Sequence, residues 1–280
     1  MTCKLYFPSS WGLSSSKLKE TYDKLISADD DIVIVSNSED CDYVVVQDSP
    51  DEVVDPNKRV IFFQREPDHV GRHHYSHPNI FAKQCHSDGD GWMPQTWWLS
   101  STYDELSRLD YPEKNYKLSI VDSGRADLPG HTVRLRAISE VINKVSDLHM
   151  YGNITRGREN TGLFKTSLPF RAKEKAFVDY KYSFIMENGR TPNYFSEKIV
   201  DPMLCWTTPI YWGCSEISKY FPKGSYIEIK NLNTDLGDQV NSIISSGFHE
   251  DNLEALAEAR DLILNKYNLI PTIKSLISKL

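Results

Sequence analysis

The chain has 280 residues, of which 40% are hydrophobic, 25% charged and 11% aromatic, with 14 glycines and 14 prolines. That composition can bury a core and excludes a disordered tail, and the length suits two small domains. A formal charge of -7 and a pI of about 5.6 argue against a broad nucleic-acid surface, which carries a basic stripe, so an anionic ligand needs a local pocket of positive charge.

From the N-terminus, short β-branched runs alternate with polar connections: CKLYF (3–7), DIVIV (31–35), DYVVV (42–46) and RVIFF (59–63). Continuous apolar runs of this kind suit strands buried on both faces. Between the first two, SKLKETYDKLISA (16–28) places Leu18, Tyr22, Leu25 and Ile26 at helical spacing, which predicts a crossover helix in a βαβ-type parallel sheet. After Glu66 the chain is irregular and rich in His, Gly, Pro and Trp to about residue 100. The stretch DYPEKNYK (110–117) predicts a boundary between domains at 1–112 and 113–280.

A second alternation follows: strand KLSIVDS (117–123), helix TVRLRAISEVINKV (132–145), strand LHMYG (148–152), helix RAKEKAFVDY (171–180) and strand YSFIME (182–187). It continues with helix NYFSEKIVDPMLC (193–205), strands TPIYWG (208–213) and SYIEI (225–229), and closing helices near 234–245 and 250–267. The expected fold class is α/β, with two open parallel sheets facing each other. Ligands in such sheets bind outside the carboxyl ends of the strands, so the default site is the cleft between the lobes.

Five cysteines (Cys3, Cys41, Cys85, Cys205, Cys214) are odd in number and form no CxxC pair, which points to reduced thiols in a cytosol. No stretch approaches the about 18–20 apolar residues of a membrane span, and the N-terminus lacks a leader pattern, so the expected location is cytoplasmic. The sequon Asn153-Ile154-Thr155 is then expected to stay unglycosylated.

The chemistry concentrates in MENGRTPNYFSEKIVDPMLCWTTPIYWG (186–213). An apolar strand ends at Glu187-Asn188, a Gly-Arg-Thr-Pro turn follows, and a helix is expected from near Asn193 with Ser196 and Glu197 in its first turn. Free N–H groups at such a terminus attract phosphate, and Lys198 adds a full positive charge there. A plain cap, with Glu197 offsetting the dipole and Lys198 solvated, is the alternative.

The order Glu-Asn, turn, Tyr-x-x-Glu-Lys, helix, Pro-Ile-Tyr-Trp-Gly resembles the donor-binding motif of the family-10 glycosyltransferases, the α1,3/4-fucosyltransferases. The matching residues are Glu187, Asn188, Tyr194, Glu197, Lys198, Pro209 and Gly213, and CSEISKYFPKGSYIEI (214–229) extends the likeness. The resemblance implies two Rossmann-like lobes in the GT-B arrangement, a GDP-fucose donor held by the C-terminal lobe, inversion at the anomeric carbon, a glycan acceptor, an α1,3-type linkage and no required cofactor or metal. It implies further that Lys198 contacts the diphosphate, that Glu197 contacts ribose or sugar hydroxyls, and that Tyr194 and Asn188 shape the nucleotide site. Animal members of the family carry a membrane anchor, so a soluble bacterial- or viral-type member is expected. MENG in place of the family's usual Phe before Glu-Asn bears on the choice of donor sugar.

The family also has an arginine opening the first helix of the donor lobe. Arg134 is the expected counterpart here, with Arg136 and Arg125 as alternatives, and a guanidinium fork suits diphosphate oxygens. An acceptor hydroxyl needs a base within hydrogen-bond reach. RVIFFQREPDHV ends an apolar strand in Arg65-Glu66-Pro67, where the resembling families place theirs, so Glu66 is the candidate catalytic base; an ordinary turn carboxylate is the alternative.

Weaker signals remain. His69, His73 and His77 are four apart, but Gly71 and Pro78 interrupt any helix, so surface or acceptor-loop roles are expected over a metal site. Asp88-Gly-Asp90 and Asp40-Cys-Asp42 look like the DxD of metal-dependent transferases yet read as turns. Trp92, Trp97 and Trp98 could stack on acceptor sugars or lie in the core. Arg156 and Arg158 sit in a loop that could face the diphosphate or be solvated. A non-catalytic nucleotide-sugar or glycan binding protein, and a same-fold transferase using another nucleotide sugar, are the competing functions.

Overall fold

The computed structural model describes residues 2–67, 75–89, 91–152, 164–169, 171–232 and 235–279. The four apolar runs of the first half become β1 (Cys3–Tyr6), β2 (Ile32–Ile34), β3 (Tyr43–Gln47) and β4 (Val60–Phe63). Every residue of β3 and β4 is buried, as expected of central strands covered on both faces. Helix α1 (Ser15–Asp23) makes the first crossover; Ser14 caps it, its hydroxyl accepting from the Lys17 N–H at 3.3 Å. The pairing is parallel throughout, in the order β2-β1-β3-β4-β5.

The fifth strand, β5 (Ile80–Gln84), falls where the sequence reads as irregular. It is an edge strand whose residues are exposed or half-buried, so IFAKQ carries no continuous apolar run. A short helix, α2 (Tyr103–Ser107), also falls outside the sequence expectation and closes with a capping box between Thr102 and Glu105.

The second sheet is parallel in the order β11-β10-β9-β6-β7-β8. Its strands are β6 (Tyr116–Asp122), β7 (Leu148–Gly152), β8 (Phe164–Thr166), β9 (Tyr180–Met186), β10 (Thr208–Trp212) and β11 (Ile227–Glu228). Helices α3 (Pro129–Lys144) and α5 (Leu236–Ile244) cover one face, packing Ile138, Val141, Leu236 and Val240 on Leu118, Ile120 and Phe184. Helices α4 (Glu197–Leu204), α6 (Phe248–Asp251), α7 (Leu253–Leu262) and α8 (Leu269–Ser278) complete the chain.

Two expected helices differ. Residues 171–180 hold only a 3₁₀ turn at Glu174–Ala176, because Arg171 sits in the left-handed region (φ 55) and the segment docks on the other lobe. There the Lys173 N–H donates to the Trp98 carbonyl at 3.2 Å, and the Glu174 carboxylate accepts from Ser101 N at 3.0 Å. The helix expected from Asn193 begins instead at Glu197. Asn193 is left-handed (φ 58), its amide donating to the Gly89 carbonyl at 2.8 Å and accepting from the Tyr220 hydroxyl at 2.7 Å.

The C-terminal helix returns to the first lobe. One core cluster runs from Leu5, Leu18 and Trp97 through Phe195 to Tyr267, Ile270 and Ile273. Asn268 (0% exposed) anchors the return: its side chain donates to the Leu25 carbonyl at 3.0 Å and caps α8 at Ile270 N, 3.2 Å away. Asn268→Ala removes that cap and orphans a buried carbonyl, so it should lower the unfolding free energy by about 2 kcal/mol in urea titrations followed by tryptophan fluorescence.

Candidate functional site

A cavity of about 410 Å³ opens at the carboxyl ends of β6, β7 and β9, within the range of small-ligand sites. Its walls include Asp122 and Ser123 after β6, Gly152 ending β7, Met186 and Asn188 at the end of β9, Arg134 and Ile138 of α3, and Glu197 and Lys198 of α4. Trp98 reaches it from the first lobe. Among the described residues, five basic side chains line it (Arg125, Arg134, Arg171, Lys173, Lys198) against two acidic ones, Asp122 and Glu197, in a chain whose net charge is -7. This is the local pocket of positive charge that an anionic ligand requires.

The helix start is built on a buried carboxylate. Glu187, 0% exposed at the end of β9, accepts from Ser196 N at 2.8 Å and from Ser196 Oγ at 2.9 and 2.8 Å, and faces Lys198 Nζ at 3.3 Å. Ser196 is also the N-cap of α4 and accepts from the Lys198 N–H at 3.4 Å and Nζ at 3.1 Å. Lys198 therefore sits between Glu187 below and Glu197 at 3.6 Å, and is not a solvated surface lysine.

The charges reinforce one another. Burial alone would raise Glu197, but Lys198, Lys173 and Arg65 outweigh it and hold the carboxyl down at about 2. Burial alone would lower Lys198, but Glu197 and Glu187 hold its ammonium above the ordinary lysine range. Both groups stay ionised through neutral pH.

Arg134, 7% exposed, enters from the second turn of α3. Its Nη1 donates to Asn188 Oδ1 at 3.0 Å and its Nη2 to Ser123 Oγ at 3.4 Å. Among the described residues its buried Nε–H has no hydrogen-bond acceptor, and Asp122 Oδ1 lies 3.9 Å from it. A buried guanidinium with a spare donor at a cavity wall is suited to an anion. Of the alternatives, Arg136 is exposed and Arg125 is paired with Asp127 at 3.1 and 2.6 Å.

Glu66 is half-buried just beyond β4 and is not among the residues that line the cavity. Its backbone is pinned on both sides: the N–H donates to Asp48 Oδ1 at 3.2 Å and the carbonyl lies 3.0 Å from His86 Nε2. Its charge is felt by Arg125 and Tyr194 of the other lobe. Tyr194 is buried behind the cavity, packed edge-on against His86 with ring centroids 5.2 Å apart.

The tryptophans separate. Trp97 is 0% exposed, with its indole N–H donating to the Ser101 carbonyl at 2.8 Å, so it is core and not a sugar platform. Trp92 packs edge-on against Tyr267 at 5.5 Å, away from the cavity. Trp98 lines the cavity, and its ring is covered by Lys173 at 4.8 Å and Arg171 at 5.4 Å.

His69, His73, Asp90, Asn153, Thr155, Arg156 and Arg158 lie outside the described residues. His77 contacts the Asp55 carbonyl at 3.1 Å, and Asp88 pairs with Lys83 at 3.4 Å in a turn. Among the described residues, no group of three or more His, Cys, Asp or Glu side chains is placed to hold a metal, and no helix is long and apolar enough to cross a membrane. All five cysteines are free.

The sequence reading missed Arg171 and Lys173, in a stretch read as a helix, and Asp122 and Ser123 at a strand end. It also missed Gly130, where a Cβ would stand 1.7 Å from the Asn188 carbonyl oxygen. The only available signal was a glycine in the first turn of a helix, LPGHT.

The two parallel α/β sheets share the GT-B fold of solved glycosyltransferases. A solved α1,3-fucosyltransferase with GDP-fucose has a TM-score of 0.53 at 16% identity, covering 95% of this chain and 92% of that one. An α-glucosyltransferase in complex with UDP and a DNA 13-mer has a TM-score of 0.60 at 11% identity, covering 100% and 99%. More specifically, residues 123–245 match the family described as "Glycosyltransferase family 10 (fucosyltransferase) C-term". The α-(1,3)-fucosyltransferase FucT of Helicobacter pylori is 31% identical over 73 residues, 25% of this chain. The R654 protein of Acanthamoeba polyphaga mimivirus, which carries a provisional fucosyltransferase name, is 36% identical over 69 residues, 24% of this chain. These matches span only 15% and 12% of the two relatives.

Gly130→Ala forces α3 and the Asn188 backbone apart. It should cost about 1–3 kcal/mol in urea unfolding, because the Arg134–Asn188 hydrogen bond spans the same contact.

Proposed function

We propose that the chain is an inverting glycosyltransferase that moves L-fucose from GDP-fucose to a hydroxyl of a glycan acceptor in an α1,3-type linkage, without a metal. The observation that carries this reading is the cationic cavity at the strand ends, where Arg134 offers a buried donor and Lys198 a fixed ammonium. The family-10 match over 123–245 supports the choice of donor.

In this reading residues 113–280 hold the donor and residues 1–112 present the acceptor. Lys198 and Arg134 take the diphosphate, Glu197 takes ribose or sugar hydroxyls, and Asn188 and Tyr194 shape the nucleotide pocket. The acceptor oxygen attacks the anomeric carbon from the face opposite the phosphate while Glu66 accepts its proton. The bond to the β-phosphate oxygen breaks, and the leaving diphosphate carries away the electron pair. Charge develops on that leaving group, where preorganised cations are worth most. Arg134 and Lys198 supply there what a bound metal supplies in other transferases. Of the three tryptophans, Trp98 alone stays in the proposal as an acceptor-side wall.

The glucosyltransferase bound to UDP shares this fold, which keeps a second nucleotide sugar in view. A thermal-shift screen of nucleotide sugars decides between donors, since a ligand held by the native state alone raises the melting temperature. Release of GDP from GDP-fucose then separates an enzyme from a binder, and an acceptor array identifies the linkage.

Lys198→Ala should lower kcat by a factor on the order of 10²–10³ and also lower the melting temperature, because buried Glu187 loses its cation while Ser196 still donates to it; near-normal transfer would remove the role. For Glu66→Gln, titration should show GDP-fucose bound as in the wild type while transfer falls by about 10²–10⁴; an active variant would move the base elsewhere.

A further inference from the structure

We propose that Lys173 is a positioning residue that holds the Glu197 carboxylate facing the donor while Lys198 turns to the diphosphate. The inference rests on the donor site just described and concerns a residue outside its motif.

Lys173 Nζ lies 3.8 Å from Glu197 Oε1 and 3.3 Å from Asp201 Oδ2. Glu197 and Asp201 are four residues apart on α4, so they share a face of the helix and a single ammonium bridges them. The bridge is held by contacts on both of its sides. Asp201 is 0% exposed, and its other oxygen accepts from the Trp98 N–H at 2.9 Å. Lys173 lies over the Trp98 ring at 4.8 Å, and its own N–H donates to the Trp98 carbonyl at 3.2 Å. Only 16% of its side chain is exposed. Burial pushes the Asp201 carboxyl up to about 7 against the pull of Lys173, so the bridge has an acceptor on either side of neutrality.

A second cation is needed because of what the donor brings. The Lys198 ammonium lies 3.6 Å from Glu197. With a diphosphate bound, that ammonium is shared with phosphate oxygens, and their negative charge pushes Glu197 away or toward protonation. Lys173 cannot follow the phosphates, since Asp201 and Trp98 hold it. It therefore keeps the carboxylate ionised and in place. The charged and titratable groups around Glu197 are Lys198 and Asp201 on its own helix, Lys173, Arg171, Arg134 of α3, Arg65 of the first lobe, and the Tyr194 hydroxyl. Lys173 is the one of these that touches Glu197 and is tied down by both lobes.

The test titrates GDP and GDP-fucose into the wild type, Lys173→Met, Lys173→Arg and the double variant Lys173→Met/Asp201→Asn, from about pH 5 to 8, with melting temperatures recorded. The double variant removes the buried carboxylate together with its cation, so folding is not the readout. Expected is a loss of GDP-fucose affinity of about tenfold in both Met variants. The loss should deepen as pH falls, because a Glu197 with a raised pKa gains a proton in that window. The wild type, in which Asp201 itself titrates in that range, should change less than the Met variants, and Lys173→Arg should regain most of the affinity. Wild-type affinity in the Met variants, weakening that is flat with pH, absence of rescue by arginine, or loss of the fold in both Met variants would each overturn the inference and leave the donor reading standing. Failure of the wild type to bind either nucleotide would overturn the donor reading, and this inference with it.

Discussion

The site depends on a carboxylate that never sees water. Glu187 ends β9 at 0% exposure, and an isolated charge at that depth would cost several kcal/mol. It is kept by the first turn of α4, whose Ser196 N–H, Ser196 hydroxyl and Lys198 ammonium converge on it. The same contacts fix where the helix begins, which way its free N–H groups point and where its lysine stands. A neighbouring constraint seals the arrangement: a Cβ on Gly213 would lie 2.5 Å from Glu187 Cγ, so only glycine lets the chain after β10 pass. Capping and charge display are thus one structure, which answers how acidic and basic residues can crowd a single helix start.

The cavity is held open by the same logic on its other side. Gly130 lets the start of α3 touch the Asn188 backbone, and this brings Arg134 onto Asn188. Both helix starts therefore lean on the end of β9, one through a buried carboxylate and one through a missing side chain. The resulting ring of cations lies in a protein that is acidic overall. Such a field is short-ranged in salt, so it acts on a ligand already in the cleft.

The lobes are joined at several points besides the chain that links them. The Gln95 carbonyl accepts from Leu269 N at 2.9 Å, its amide donates to the Phe195 carbonyl at 3.0 Å, and Asn268 reaches Leu25. Trp98 meets Asp201 and Lys173 directly behind the cavity wall. The residues that hold the lobes together are thus neighbours of those that face the ligand, and a change in lobe angle would be felt at Glu197.

What was legible in the sequence follows from locality. The apolar runs of β1, β3, β4, β6 and β9 announce buried parallel strands, because such strands need no polar face, and the spacing of Leu18, Tyr22 and Leu25 announces α1. The order Glu187, Asn188, Tyr194, Glu197, Lys198 was readable because a strand end and the next helix start are close in the chain. The edge strand β5, the unwound segment 171–180 and the start of α4 at Glu197 were not, since each is set by a partner distant in sequence: solvent at a sheet edge, Trp98 and Ser101, and Gly89 with Tyr220. For the same reason, Trp97 looked no different from Trp98 until packing sent one to the core and the other to the cavity. Composition and local pattern by themselves determined the strands other than β5 and β8, the parallel α/β class and the charged helix start. Tertiary structure decided which cations meet there, because Arg134, Lys173 and Lys198 come together only when three separate crossovers bring their strand ends side by side.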